Sequence, residues 1–398
     1  GRARTAGEVE VMRTTTLEEV LDEIIDHRGR TPKKLGADFT NAGVPVISAK
    51  LIRQGAIDFE NVRFVSHETW EKWMPVPLQE GDVILTSEAP LGKTAFVPSN
   101  DPLVLGQRLF ALRGKADVID NAYLRYWLES EVGQAQLAGR ASGTTVLGIR
   151  QALLRKVEID LPPFKAQRSV GKFLKALDDK IAANSRIIKI ATHLNIKLVE
   201  KAVTKELEHL QNLADITMGS SPKGEFLNEE GIGEPFFQGV RDFGELFPSE
   251  RVFAEKAVRT AQEGDILFAV RAPIGEVNIA ERPCVIGRGI AAIRGKQSHL
   301  GLFYLLKGHP ELWETYQSSG TVFAGINKSD LHNAVIPVLR DSEKLEQQLT
   351  PIHERAMHAL RENQVLARTR DELLPLLMSG RITVGEAEDA ADEAASES

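Results

Sequence analysis

Three stretches of this 398-residue chain carry residue types that could do chemistry. Gly92-Lys93-Thr94 resembles the end of a phosphate-binding loop, where backbone N–H groups and one lysine cradle phosphates. That pattern needs a glycine five residues before Gly92, and Ser87 stands there, so nucleotide binding is set aside. Asp160-Leu161-Pro162-Pro163-Phe164 is close to the tetrad with which adenine methyltransferases grip an amino group. Leu161 occupies the position that must be polar, so the stretch reads as the start of a helix. His353-Glu354 with His358 suggests a zinc-binding helix, but the histidines are five apart rather than four and point to different faces. Cys284 is the single cysteine, so there is no disulfide and no cysteine-rich zinc site, and no Gly-x-Ser-x-Gly elbow is present. The expectation is a chain with no catalytic residue, no metal and no cofactor of its own.

The elements that must position any functional residue are arranged as a repeat. Gly81-Asp82-Val83-Ile84 and Ala89-Pro90-Leu91-Gly92 return as Gly264-Asp265-Ile266-Leu267 and Ala272-Pro273-Ile274-Gly275. Thr31-Pro32-Lys33 is matched by Ser221-Pro222-Lys223, and Gly43-Val44-Pro45 by Gly233-Glu234-Pro235. Leu112-Arg113-Gly114 returns as Ile293-Arg294-Gly295, and Ser142-Gly143-Thr144 as Ser319-Gly320-Thr321. Ile336-Pro337 echoes Leu161-Pro162. Within the first copy, Val44–Ser48, Gly81–Thr86 and Leu109–Leu112 read as strands, and Ser66–Met74 and Asp120–Leu137 as helices; Leu17–Ile25 has the spacing of either.

Each copy leads into a long helix. From Val170, residues Leu174, Leu177, Ile181, Asn184, Ile188, Ala191, Asn195 and Leu198 follow at alternating steps of four and three, a heptad seam. A helix over residues 165–207 is about 60 Å long, which requires a partner helix along its length. The seam recurs 179 residues later as Leu349, His353, Ala356, Leu360, Asn363, Ala367, Arg370, Leu374 and Leu377. Leu177, Ile181, Asn184 and Ile188 are expected to pair with Ala356, Leu360, Asn363 and Ala367. A polar Asn in an apolar seam fixes register and orientation, so Asn184 is expected to meet Asn363.

The fold expected is mixed α/β: two globular recognition domains in tandem, joined by two long helices that form an antiparallel coiled coil with a pseudo-two-fold. The boundaries read as 1–163 and 210–338 for the domains, 164–209 and 339–380 for the helices, and 381–398 for a disordered acidic tail. That tail carries six acids against Arg381 alone and accounts for most of the net charge of −7, leaving a body near neutrality that permits a basic face. No apolar run reaches the roughly 18 residues of a membrane span, and one cysteine suits a reducing cytoplasm.

Two similar heads on a rod suit a polymer with two sites at fixed spacing, and duplex DNA is the commonest. Reading it requires side chains at base edges, set in place by phosphate contacts. The best positions are loops present in both copies but differing in residue. In the first copy these give Arg28, Arg30, Lys33, Lys34, Ser87, Lys93, Arg108, Thr144 and Arg150. In the second they give Lys223, Arg271, Arg288, Thr321, Asn327 and Lys328. Differing loops imply a non-palindromic target. A solvated surface charge is the alternative for each basic residue, and a turn cap for Thr144 and Thr321.

The ordered, duplicated motifs resemble the DNA-specificity subunit of type I restriction–modification systems over residues 17–380. They are the Gly81-Asp82 and Gly264-Asp265 strands, the Ala-Pro-x-Gly loops, the Ser-Gly-Thr loops, and Leu161-Pro162-Pro163-Phe164 with Gln167. The second copy departs at Ile336-Pro337-Val338, with Gln347 or Gln348 only roughly in the place of Gln167. The resemblance implies two target-recognition domains, each reading half of a split DNA sequence, and helices that set the spacer and dock two modification subunits. Those partners use S-adenosylmethionine to methylate adenine; restriction subunits driven by ATP cleave. A non-catalytic protein-interaction scaffold with duplicated binding domains is the alternative.

Overall fold

The structure is a computed structural model that describes residues 12–396 apart from Gln54, Thr144, Thr145 and 318–324. The chain divides into two compact units, Gly1–Ala182 with Glu362–Ser398, and Ala183–Arg361. Each unit therefore holds one globule and half of each long helix.

In the first unit, strands β1 (Leu21–Ile25), β2 (Val83–Thr86), β3 (Thr94–Phe96) and β4 (Leu109–Gly114) form an antiparallel sheet in the order β1-β4-β2-β3. Strand side chains alternate faces, and here both faces are covered. Val83, Leu85, Phe110 and Leu112 join one core with helix α1 (Asn121–Glu129), whereas Ile84, Ala95, Leu109 and Ala111 join another with Val46, Ile47 and Trp73. The second unit repeats this arrangement as β5 (Ala214–Met218), β6 (Ile266–Ala269), β7 (Val277–Ile279) and β8 (Ile290–Gly295), in the order β5-β8-β6-β7, with helix α2 (His299–Gly308).

The recurring motifs have structural reasons. Gly81 and Gly264 both sit at φ +83°, a left-handed turn that glycine adopts without penalty. The following Asp82 accepts from Gln79 N at 2.8 Å and pairs with Arg113; Asp265 accepts from Gln262 N at 2.8 Å and pairs with Arg294. Asn121 and His299 do one job in different chemistry. Each accepts from the glycine ending β4 or β8 and bonds the carbonyl of Gly81 or Gly264.

The long helices span Phe164–Ala202 and Ser342–Met378 and run antiparallel. In the first unit Asn363 Nδ2 donates to Ile181 O at 3.2 Å, Lys180 pairs with Glu362, and Leu174 shares a core with Leu373 and Leu377. In the second, Asn195 Nδ2 reaches Leu349 O at 3.5 Å, and Ile188, Ala191 and Val199 share a core with Leu345, Leu349 and Ala356. Leu177 is buried and Asn184 fully so; Ile181, Leu360, Asn363 and Ala367 are half-buried. On the second helix, burial within the first unit moves to Thr369, Leu373 and Leu377. Asn184 and Asn363 fall in different units, and their meeting stays a proposal.

Globule and helices are locked together in the first unit by a buried ion cluster. Asp178 accepts from Arg125 Nη1 at 2.8 Å, Tyr126 Oη at 2.7 Å and Arg370 Nη1 at 2.7 Å, and Arg125 is 2% exposed. Burial alone pushes the Asp178 carboxyl up; the charge of Arg125 and the bonds from Arg370, Tyr126 and Arg125 outweigh it and hold the group below the usual carboxylate range. The repeat offset puts Phe303, Met357 and Ala191 at the corresponding places, and all three are buried in the core of the second unit. There the neighbouring Tyr304 Oη lies 2.8 Å from His353 Nδ1.

Several expectations are corrected. The first long helix ends at Ala202 rather than near residue 209, because Val203–His209 is a strand paired with Val335–Leu339. Over Leu207–His209 that pairing has the register of Thr14–Thr16 with Glu158–Asp160, so Pro337 corresponds to Asp160, and the Ile336-Pro337 echo is displaced by two residues. Glu346, not Gln347 or Gln348, takes the place of Gln167: it accepts from Leu300 N and Ser298 Oγ, as Gln167 accepts from Asp120 N. Residues 120–137 are two helices, because Ser130 is extended and caps Glu131–Gly139 through Gly133 N. The acidic tail is not without structure. Val384–Ser396 is a helix opened by a capping box between Thr383 and Glu386, with acids at its N-terminal end and Ala387 fully buried.

Two outcomes are expected. Asp178→Ala leaves the buried Arg125 with the Glu129 carboxylate, at 3.2 Å, and takes from Tyr126 and Arg370 their shared acceptor. It should cost about 3–5 kcal/mol, measured by urea unfolding, and a loss under about 1 kcal/mol would remove the cluster from the account. Burial lowers the His353 pKa to about 4, whereas the unfolded chain takes up that proton near pH 6.5. Stability from neutral His353 is thus complete above pH 6.5 and drains away toward pH 4, by on the order of 3 kcal/mol. His353→Leu should flatten that part of the stability–pH curve, and an unchanged slope would contradict the assignment.

Candidate nucleic-acid interface

At one end of the β2 strand three loops converge through main-chain bonds. Ser87 N donates to Arg108 O at 2.9 Å, and Ser87 O accepts from Ile149 N at 3.0 Å. Glu88 bridges to Gly148, which in turn bridges to Ser142. The second unit builds the same frame: Val270 N donates to Gly289 O at 2.9 Å, Val270 O accepts from Ile326 N at 2.9 Å, and Arg271 bridges to Gly325. In both units the Pro of the Ala-Pro-x-Gly loop follows a cis peptide bond. The last glycine of each loop sits at positive φ, +90° for Gly92 and +96° for Gly275, a backbone conformation that favours glycine. A Cβ on Gly275 would in addition strike the Trp313 ring, and one on Gly92 the movable Gln134 amide. The resemblance of Gly92-Lys93-Thr94 to a phosphate loop is therefore a matter of the turn.

The sequence-derived candidates divide on this frame. Arg108 is exposed at φ +65°, with Nε 3.1 Å from Glu88 Oε1. Arg150, next to Ile149 of the frame, is exposed, as are Arg271 and Arg288, whose N donates to Ser221 Oγ. Lys33, Lys93, Lys223 and Lys328 are exposed on neighbouring turns, Lys223 Nζ lying 3.9 Å from Glu225. These side chains reach solvent, Arg108 and Lys223 with a carboxylate beside them.

Others are structural. Arg28 grips Asp26 through two nitrogens, donates to Ile149 O at 3.0 Å and lies over the Phe110 ring, so it ties β1 to the frame. Arg30 donates to Trp73 O and Lys34 to Gly29 O. Ser87 is buried, its main chain rather than its hydroxyl joining the loops, which corrects its place among surface candidates. Asn327 caps Lys328–Asn333 by accepting from Asp330 N at 3.0 Å. Thr144 and Ser319-Gly320-Thr321 lie outside the described residues.

Glu88 and Ser221 lie in paired segments of the repeat but are not among the sequence-derived contact candidates. The signal was present in the repeat, where Glu88 stands opposite Arg271 and Arg108 opposite Gly289. Among the described residues no cluster of acids, histidines or cysteine is placed to hold a metal, and no helix is long and apolar enough to cross a membrane.

An expected outcome separates the two groups. Arg28→Ala should lower the melting temperature. Arg288→Ala should leave it unchanged and lessen the salt dependence of duplex-DNA binding by about one phosphate contact. The reverse pattern would overturn the division.

A family model described as type I restriction modification DNA specificity domain matches residues 9–192 and again 203–348. A putative type I restriction enzyme specificity subunit of Methanocaldococcus jannaschii, MjaX, is 28% identical over 377 residues, covering 86% of this chain and 88% of the relative. The MjaIX specificity subunit of the same organism is 23% identical over 350 residues, 77% and 79% of the two chains. The solved S subunit of a type I restriction–modification system from M. genitalium shares the fold, with a TM-score of 0.63 at 16% identity over 94% of this chain and 98% of that one.

Proposed function

The chain belongs to the type I restriction–modification DNA-specificity family, and from that premise we propose that it is the non-catalytic subunit that tells such a complex which duplex sequence to act on. Residues 1–163 and 210–338 each read one half of a split, non-palindromic word. The helix pair, its register set by Asn184 beside Asn363, fixes the spacer and docks two modification subunits. Those partners supply S-adenosylmethionine-dependent methylation of adenine, and ATP-driven restriction subunits join them. The complex acts on host DNA in a prokaryotic cytoplasm.

One observation above all supports this reading. The two units repeat the main-chain bonds at Ser87 and Val270 and the bridges from Glu88 and Arg271 while presenting different side chains there, Glu88 and Arg108 against Arg271 and Gly289. A reader of two unlike half-sites needs this combination, because the scaffold must place base contacts alike while their donors and acceptors differ.

Co-expressed with its modification subunit, the chain should confine methylation to adenines within a two-part asymmetric word, found by mapping methylated adenines in host DNA. Affinity of the purified complex for that word should fall linearly against the logarithm of salt concentration, by about 0.9 per phosphate neutralised. A palindromic word, or methylation tied to no word, would overturn the proposal.

A further inference from the structure

Resting on the reading of the chain as a DNA-recognition subunit, we infer that residues 88 and 271 are one specificity-determining position, set to opposite chemistries in the two recognition domains.

The main chain at this position is held alike on both sides. The preceding residue, Ser87 or Val270, donates to the carbonyl of residue 108 or 289 and accepts from the N–H of Ile149 or Ile326, all at 2.9–3.0 Å. Residue 88 or 271 then bridges to Gly148 or Gly325. The side chains start out over those glycines. A Cβ on Gly148 would meet Glu88 Cβ and Oε2 at 3.2 and 3.3 Å, and one on Gly325 would meet Arg271 Cγ and Nη1 at 3.8 and 4.0 Å. At Gly148 an added Cβ would crowd Glu88, whereas at Gly325 it would make ordinary contact with Arg271, so the two side chains pass over the same glycine position, tightly in the first unit and loosely in the second. The Glu88 side chain is 41% exposed and Arg271 is exposed, so each reaches solvent from an immobile base.

The chemistry at the end of that path is reversed. A carboxylate accepts hydrogen bonds only, and the cytosine N4 amine is the donor it matches in the major groove. A guanidinium donates only and matches guanine O6 and N7 two at a time. The surroundings follow the same reversal. Glu88 has Arg108 at 3.1 Å, whereas Arg271 faces Gly289 at the corresponding place, and the residue before it changes from Gln107 to Arg288. The first domain therefore presents an acceptor beside a donor; the second presents donors alone.

The test is selection of bound duplexes from a randomised library by the full complex of this chain with its modification subunit. Wild type, Glu88→Ala, Arg271→Ala and Glu88→Arg are run in parallel, with melting temperatures recorded. Glu88→Ala should abolish preference at one base pair of one half-site, by about 5- to 150-fold, and leave the other half intact. Arg271→Ala should do the same in the other half, and Glu88→Arg should install a preference for guanine at the affected pair. A word unchanged by both alanine variants, or affinity lowered equally for all sequences, would overturn the inference. If a variant fails to assemble, Glu88→Gln and Arg271→Lys take its place and are read by the same two outcomes. Wild type that selects no word at all would instead count against the DNA-recognition reading itself.

Discussion

A carboxylate shut between two guanidinium groups holds the first recognition domain to its helices. Asp178 belongs to the first long helix, Arg125 and Tyr126 to the domain, and Arg370 to the second long helix, so one buried anion ties three elements together. A DNA reader gains nothing from correct loops if the body carrying them can swing. A cluster of this kind has little slack, because removing Asp178 takes away the acceptor that Arg125, Tyr126 and Arg370 share. The second unit has Phe303, Met357 and Ala191 at the corresponding places, all buried in one apolar core, so burial at these places is kept where charge is not. Apolar replacement of a buried ion cluster is commonly neutral or stabilising, so the two solutions can stand in one chain at comparable cost.

The same substitution of means for a fixed geometry recurs through the fold. Asn121 and His299 bridge the same two glycines, and Gln167 and Glu346 serve the same helix start. Where a buried backbone group must be satisfied, position is conserved between the copies and residue type is not. Motifs that depend on backbone shape behave differently. Gly81-Asp82 and Gly264-Asp265 keep both residues, because a left-handed turn and a carboxylate that caps it leave few alternatives.

This contrast explains what could be read from the sequence and what could not. The repeat, the helix seam and the strand at Val83–Thr86 were legible because they rest on periodicity and on glycine or proline at fixed offsets. The Asp178 cluster was not, since Asp178 lies more than fifty residues in sequence from each of its partners, with no local pattern to join them. Among the loop residues the basic side chains all looked alike. Only tertiary contact separates Arg28, locked to Asp26 and Ile149, from Arg288, which reaches solvent. The acidic tail misled because composition argued for disorder, while the capping box at Thr383 and Glu386 and the burial of Ala387 argue locally for a helix.

Main-chain bonding also accounts for how such a frame can change its ligand. The loops that meet at Ser87 and Val270 are joined by N–H to carbonyl bonds, which are indifferent to the side chains they carry. An exposed side chain on that frame contributes little to stability, so its replacement is limited by what it touches outside the molecule rather than by folding. Glu88 and Arg271 could diverge to opposite charge for this reason, whereas Ser87, shut inside the same frame, could change only to another small buried residue, and Val270 is one.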